Sequence, residues 1–405
     1  MDEAMKYVVI LGDGMADWPI DELGGETPLS YAKTPMMDKL AKMGEIGMVD
    51  TIPEGMAPGS DTANLSVLGY NPRKYYSGRS PLEALSIGAE MKDTDVVFRC
   101  NLVTLTEEDA PYAEQTILDH SSDEISTEDA DVLLHYAASR INNENYRFYT
   151  GTSYRHCVIW DQGRVLELTA PHDVLTRKIG TYLPSDPVLR SMQEQSYELL
   201  KDHPINIERK KKGLHPANSF WFWGAGTKPA LESFEKIYHK KGAMISAVDL
   251  LKGIAVGTGM ERIMVPGATG GLNTNYEGKA EAAVDALVNK GFDFVYVHVE
   301  APDEMGHQGS YEKKIRSIEY LDQRLIRIVK EGLDAAGCDY RMLILPDHPT
   351  PVKCRTHVPE PVPYLLYDST APQEHTWHYN EKEAEAGGIK VAHGWDLTAY
   401  LLGTD

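Results

Sequence analysis

The residues best suited to chemistry in this chain are carboxylates and imidazoles that follow short apolar runs. The run Lys6–Leu11 ends at Asp13 in VVILGDG, Phe292–Val299 runs into Asp303 in APDEMGH, and Arg341–Leu345 runs into Asp347 in LILPDHP. Histidines accompany them: His307 lies four residues after Asp303, His348 directly follows Asp347, and His357 lies ten residues beyond Asp347. Four residues apart on one turn of helix, or in a tight loop, Asp303 and His307 can face one centre. Imidazole with carboxylate suits Mn²⁺ or Zn²⁺, whereas an all-oxygen set would suit Mg²⁺ or Ca²⁺. These six side chains include no thiol and exceed what one tetrahedral site with an open position can use. They fit two ions a few ångströms apart, as in phosphoryl-transfer enzymes. Taken singly, each Asp could be a turn or helix cap and each His a surface or core residue; their recurrence at several strand ends is the signal.

Ser60, in PGSDTAN, sits where a helix should begin. Backbone N–H groups at a helix start bind phosphate or stabilise an oxyanion. A serine hydroxyl is a weak nucleophile at neutral pH, and a coordinated metal could activate it. The plainer alternative is that Ser60 is an N-cap. Residue 63 is Ala, so no capping box supports that alternative.

The elements that must position these residues follow from periodicity. Lys6–Leu11 reads as a buried strand ended by Gly-Asp-Gly. Thr34-Pro35 starts a helix, with Thr34 as N-cap, that runs to about Met43 and stops at Gly44. Glu277 to Lys290 and Lys313 to Lys330 have helical period. Phe292–Val299, Arg341–Leu345 and Pro363–Tyr367 read as strands. Helices alternating with apolar strands at both ends of the chain predict an α/β core with a largely parallel sheet. In such sheets the ligand crevice lies beyond the carboxyl ends of the strands, which would bring Asp13, Asp303 and Asp347 together. The middle is more mixed. VVFRCNLVTL, YRHCVIW, RVLELTA and SFWFWG read as strands, with helices near 128–140 and 188–202. This predicts a core over 1–75 and 236–405 and a smaller inserted α+β domain over 76–235. Phe220, Trp221, Phe222 and Trp223 alternate over both faces of their strand and read as packing.

Composition limits the classes of function. At about 150 residues per domain, 405 residues predict two or three domains. With 42% hydrophobic and 25% charged residues, disorder as the main state is excluded. The net charge of −21 argues against a broad nucleic-acid-binding face, the nearest basic run being Arg209–Lys212. An anionic substrate would need local cations. No apolar stretch reaches the ~18–20 residues of a membrane span. The four cysteines form no CxxC pair, so a cytoplasmic, reduced protein is expected.

The segments VVILGDGMAD, PEGMAPGSDTANLSVLGY, VPGATGGLNTNYEGKAEAA, HVEAPDEMGHQG, LPDH and THVPEPVPYLLY, in this order, resemble the cofactor-independent phosphoglycerate mutases of the archaeal type, in the alkaline phosphatase superfamily. The likeness runs from Lys6 to about Tyr367. It implies an alkaline phosphatase-like α/β core and a glycolytic isomerase of a small phosphorylated substrate, interconverting 2- and 3-phosphoglycerate. The same core could serve a homoserine kinase-like phosphotransferase or a phosphomonoester hydrolase. The resemblance implies two divalent ions, Mn²⁺ or Zn²⁺ ahead of Mg²⁺ or Co²⁺. It places Asp13, Ser60, Asp347 and His348 around one ion and Asp303, His307 and His357 around the other. Ser60 would carry the phosphoryl group, and the insert would hold the glycerate part and close over the core.

For substrate contacts, Arg155 and His156 in SYRH, and His172 and Asp173 in PHD, match family motifs. Lys228 follows the aromatic strand where relatives carry basic residues, and Lys252, in VDLLKG, could reach a phosphate. A surface ion pair, loop anchor or solvated lysine is the alternative for these. DHSSDEIST departs from the family pattern, which has Gly-His near Asp123-Glu124. His298, inside a strand, reads as a core histidine, and His393 stays outside the metal set.

Overall fold

The computed structural model describes residues 4–141 and 143–404. It divides into two compact units, one formed by Met1–Tyr76 with Ala230–Asp405, the other by Ser77–Pro229. The first is α/β, as expected. Its eight-stranded sheet runs, in spatial order, Lys390–Val391, Glu45–Val49, Val362–Asp368, Tyr340–Leu345, Lys6–Gly12, Phe294–Val299, Gly242–Ile245 and Glu261–Arg262. Only Val362–Asp368 runs against its neighbours.

Register explains why the acids meet. Leu11 pairs with both His298 and Leu345, and Gly12 with Val299. The three central strands therefore end at one level, and Asp13 N–H still donates to Val299 O at 2.9 Å. Their side chains are buried on both faces: Val8, Ile10, Val295, Val297, Met342 and Ile344 join one apolar cluster with helices Pro35–Met43 and Tyr276–Val288. That double burial is why they read as continuous apolar runs.

The helix Pro35–Met43 has the expected bounds, but Thr34 makes no side-chain capping bond. Asp322 takes that place. Its two carboxylate oxygens accept from Met36 N at 3.1 Å and Met37 N at 2.6 Å. Asp322 belongs to a π-helical turn, Asp322–Ile326, between helices Tyr311–Leu321 and Arg327–Ala335. The amphipathic run expected over 313–330 is thus longer and contains a widened turn. Ser60 is the first residue of helix Ser60–Val67, with Gly59 as the N-cap, so the capping alternative fails for it.

The second unit is an antiparallel sheet. Val96–Leu105 pairs with Ile117–Asp119, Arg155–Trp160 and Ser219–Thr227, and Arg155–Trp160 also pairs with Tyr146–Thr152. Helices Thr127–Ile141 and Pro187–Leu200 bury Leu133, Leu134, Leu189 and Met192 with Phe98, Phe220 and Phe222, while Trp221 joins a separate cluster with Val103 and Leu105. The strand expected in RVLELTA is absent. Leu166 and Leu168 pack on the core while Val165 is exposed, so the segment has a strand's alternation without a partner strand.

Asp322→Ala leaves two first-turn N–H groups without their acceptor in a sealed setting. Unfolding in urea should show a loss of about 1–3 kcal/mol, with Asp322→Asn losing less. An unchanged midpoint for the alanine variant would contradict this capping role.

Candidate functional site

The core unit gathers the six predicted Asp/His side chains and Ser60 beyond the ends of its central strands. Asp303, His348 and His357 offer ligand atoms that all lie within 4.8 Å of one another, and so do Asp13, Asp347 and His348. His348 thus reaches both groups. His307 joins the first: its Nε2 lies 3.2 Å from Asp303 Oδ2 and 3.1 Å from His357 Nε2. His357 Nε2 is 3.0 Å from Asp303 Oδ1. Ser60 joins the second, with Oγ 3.2 Å from Asp13 Oδ2 and 3.2 Å from His348 Nε2.

Local sequence explains how so many polar groups fit. Gly14 has φ +62, and a Cβ there would lie 2.8 Å from the Asp303 backbone. Only glycine both adopts that conformation without strain and lets this loop touch the helix Ala301–His307 that carries Asp303. Lys314, fully buried, donates to Ala16 O at 3.0 Å, Asp17 Oδ2 at 3.0 Å and Thr350 O at 2.9 Å. It ties the loop after Asp13 to the loop after His348.

The donor chemistry fits divalent cations. His307 Nδ1 donates to Arg355 O at 2.9 Å, so that nitrogen keeps its hydrogen and Nε2, beside Asp303 and His357, is the atom that would turn to a cation once its own proton is displaced. Asp13 Oδ1 is buried with no hydrogen-bond partner. Without a cation the acids strain against one another. Burial, then Asp347, Asp303 and Glu300, push the Asp13 carboxyl well up. Burial also raises Asp303, but hydrogen bonds from His307 and His357 outweigh it and hold that carboxyl well below its ordinary range. The hydrogen bond to Asp303 lifts His307 to about 9. In the metal-free protein a proton therefore occupies the place a cation would take.

Several supporting groups were not legible as site residues. Asn64, one helical turn after Ser60, donates to Ser60 O at 2.7 Å and Asp347 Oδ2 at 3.0 Å. Tyr296 O–H in turn donates to Asn64 Oδ1 at 2.6 Å. Thr350 O–H donates to Asp303 Oδ1 at 2.6 Å. His298 Nε2 lies 2.7 Å from Asp13 Oδ2, so this strand histidine touches the site rather than only the core. The available signals were the i+4 spacing of Asn64 and two polar residues in the otherwise apolar FVYVHV.

Of the remaining candidates, five lie in the second unit and Lys252 in the core unit. In the second unit, His156 is buried, its Nδ1 accepting from Gly151 N at 3.1 Å. Burial pushes that imidazole down to about 4. Arg155 is exposed, its guanidinium 5.3 Å from the Tyr154 ring. His172 and Asp173 are exposed, the His172 ring 5.3 Å from that of Trp223 and 6.1 Å from that of His120. Lys228 pairs with Asp93 at 3.8 Å. Lys252, in the core unit, lies on helix Asp249–Thr258 and pairs with Asp249 at 3.6 Å.

A serine opening a helix among metal-type ligands, at the strand ends of an α/β sheet, defines the class of protein. A family model described as 2,3-bisphosphoglycerate-independent phosphoglycerate mutase matches residues 41–206. A Methanosarcina acetivorans protein of that name is 44% identical over 404 residues, covering 98% of this chain and 100% of the relative. This chain belongs to the 2,3-bisphosphoglycerate-independent phosphoglycerate mutase family. Among solved structures, a Pyrococcus horikoshii protein has TM-score 0.81 at 31% identity, covering 99% of this chain and 98% of that one. A cofactor-independent phosphoglycerate mutase from Thermoplasma acidophilum has TM-score 0.66 at 26% identity, with 99% of each chain covered. Among the described residues, no helix is long and apolar enough to cross a membrane.

Cation binding should stabilise the fold by mass action. Protein stripped by a chelator should melt lower and recover on adding Mn²⁺ or Zn²⁺, and Asp303→Asn should blunt the recovery. Because the metal must displace the His307 proton, the affinity should rise with pH up to about 9. A melting temperature indifferent to added metal at every pH would contradict the assignment.

Proposed function

We propose that this chain is itself a 2,3-bisphosphoglycerate-independent phosphoglycerate mutase that interconverts 2- and 3-phosphoglycerate through a phosphoserine at Ser60. Asp13, Ser60, Asp347 and His348 would hold one divalent ion, and Asp303, His307 and His357 the other, with Mn²⁺ or Zn²⁺ best suited to the mixed oxygen and nitrogen donors. The reading fits a reduced cytoplasmic setting and a small phosphorylated substrate. The observation that carries it is the Ser60 hydroxyl, which lies between Asp13 and His348 and is not used as a helix cap.

When bound, the ions would lower the cost of an ionised serine oxygen and neutralise phosphoryl oxygens. The chain's own residues do the rest. Ser60 presents Oγ at the start of its helix, where the N–H groups of the first turn favour an anionic phosphoryl group. Asp13 Oδ2 accepts the Ser60 hydroxyl hydrogen and so aims the oxygen. In the first transfer Ser60 loses its hydroxyl proton and an Oγ–P bond forms as the bond from phosphorus to the glycerate oxygen breaks, and the freed glycerate oxygen takes up a proton to match. In the second, the neighbouring glycerate hydroxyl attacks the phosphoserine, loses its proton and restores Ser60. Asn64 fixes both the Ser60 carbonyl and the Asp347 carboxylate, so serine and metal ligand move together.

The inserted unit is proposed to grip the glycerate part and act as a lid, with exposed Arg155, His172 and Asp173 as its contacts. Arg is suited to a carboxylate through its planar fork. His156 is set aside because its ring is buried. Lys228 and Lys252, each paired with a carboxylate, are both kept as candidate substrate contacts.

The metal-loaded protein, given 3-phosphoglycerate without ATP, should form 2-phosphoglycerate. Ser60→Ala should fold and bind metal yet lose roughly three or more orders of magnitude in turnover. A brief pulse of substrate should leave phosphate on Ser60. Release of inorganic phosphate alone would make the protein a hydrolase. Phosphohomoserine formed only with ATP and homoserine would make it a kinase. Near-normal turnover by Ser60→Ala would end the covalent route.

A further inference from the structure

His298 stands in the middle of the sheet, fully buried, on the strand Phe294–Val299. Its Nε2 lies 2.7 Å from Asp13 Oδ2, and its Nδ1 lies 3.1 Å from Ser246 Oγ. Ser246 Oγ also accepts from Val248 N at 3.0 Å. An ionised Asp13 carboxylate can only accept, so the proton of the neutral ring sits on Nε2 and points at Asp13, and the Ser246 O–H donates to Nδ1. Lys279, equally buried on the helix Tyr276–Val288, donates to the His298 carbonyl at 3.0 Å. The chain Ser246 to His298 to Asp13 is therefore closed at one end and directed at the other.

The two oxygens of Asp13 are unequal as a result. Oδ2 is shared by His298 at 2.7 Å and Ser60 at 3.2 Å. Oδ1 is buried, has no hydrogen-bond partner and lies 3.5 Å from His348 Nε2. Leaving a buried carboxylate oxygen unpaired is costly, so the asymmetry calls for a cation on that side.

We propose that His298 is a positioning residue that fixes the rotation of the Asp13 carboxylate, reserving Oδ1 for a divalent ion and Oδ2 for the Ser60 hydroxyl, with Ser246 fixing the histidine tautomer. The proposal rests on the two-ion reading above. Groups that orient a ligand carboxylate influence affinity nearly as much as the ligand itself, and their loss typically costs about 10–100-fold in metal binding.

The test is calorimetric titration of Mn²⁺ or Zn²⁺ into chelator-stripped full-length protein, alongside circular dichroism and melting curves. His298→Leu should weaken one of two binding steps by roughly 10–100-fold and leave the other unchanged. His298→Gln, which keeps an N–H donor near the Nε2 position, should recover most of that loss, and Ser246→Ala should weaken the same step by only a few-fold. If His298→Leu does not fold, the Gln and Ala variants carry the comparison. Two unchanged binding steps in folded variants would overturn the proposal while leaving the two-ion reading intact. Equal weakening of both steps would overturn it too. Failure of the unsubstituted protein to bind any divalent ion would instead overturn the two-ion reading, and this proposal with it.

Discussion

Three carboxylates meet where adjacent parallel strands end, and each is almost sealed from water: Asp13 is 2% exposed, Asp303 4% and Asp347 0%. Buried like charges at this spacing oppose folding unless positive charge or hydrogen bonds balance them. Much of the surrounding structure supplies that balance. Asp347 Oδ1 accepts from Gly14 N at 3.0 Å and His348 N at 2.9 Å, and its Oδ2 accepts from Asn64. Asp303 accepts from Thr350 and faces two imidazoles. Only Asp13 is left with a bare oxygen, and it is the carboxyl that burial and its acidic neighbours push up. The charge deficit is thus localised, and a cation bound there would give the bare Asp13 oxygen its counter-charge.

The candidate metal ligands were legible because their signals are local. A strand that ends shows its end in the sequence, and an acid within a few residues of that end needs no knowledge of the partner strand. The groups that hold those acids were not legible in the same way. Tyr296 and Asn64 are 232 residues apart, His298 and Asp13 are 285 apart, and Asp347 and Gly14 are 333 apart. No spacing rule links them, because the sheet order places neighbours from opposite ends of the chain side by side. Short strands such as Glu45–Val49 and Gly242–Ile245 escaped for a related reason: four or five residues carry too little periodicity. RVLELTA shows the converse, since alternation reports burial on one side and not a ladder partner.

The departure from the family pattern in DHSSDEIST has a structural explanation. Asp119 Oδ2 accepts from Asp123 N at 2.7 Å and contacts His215 Nδ1 at 2.8 Å, and His215 N donates to Asp123 Oδ2 at 2.7 Å. Ser122, Asp123 and Glu124 all take left-handed backbone angles, with φ of 50, 53 and 51. Such a run is costly for residues with a Cβ and needs outside support. The Asp–His hydrogen bonds, together with Arg209 donating to Ser122 O at 2.6 Å, provide it. Asp119 and Asp123 are thus engaged in holding the turn that stands where the family pattern has Gly-His.

Ser60 shows how a one-residue shift separates structure from chemistry. Had the helix begun one residue later, the hydroxyl would sit at the N-cap and accept a backbone N–H. With Gly59 at the N-cap, in an extended conformation of φ −167, the cap has no side chain and Ser60 becomes the first helical residue. A Cβ on Gly59 would lie 2.6 Å from Asp61 Oδ1, the oxygen that accepts from Thr62 N at 2.9 Å. Asp61 also accepts from Tyr76 O–H at 2.7 Å. A side chain at 59 would therefore disturb the acid that now serves the first turn. Asp61 takes up one first-turn N–H from within, and the Ser60 hydroxyl is left to Asp13 and His348. A serine that opens a helix without capping it, beside a second acid that does, is a sequence pattern with a physical reading: the hydroxyl has been released from structural duty at the point where helix N–H groups favour an anion.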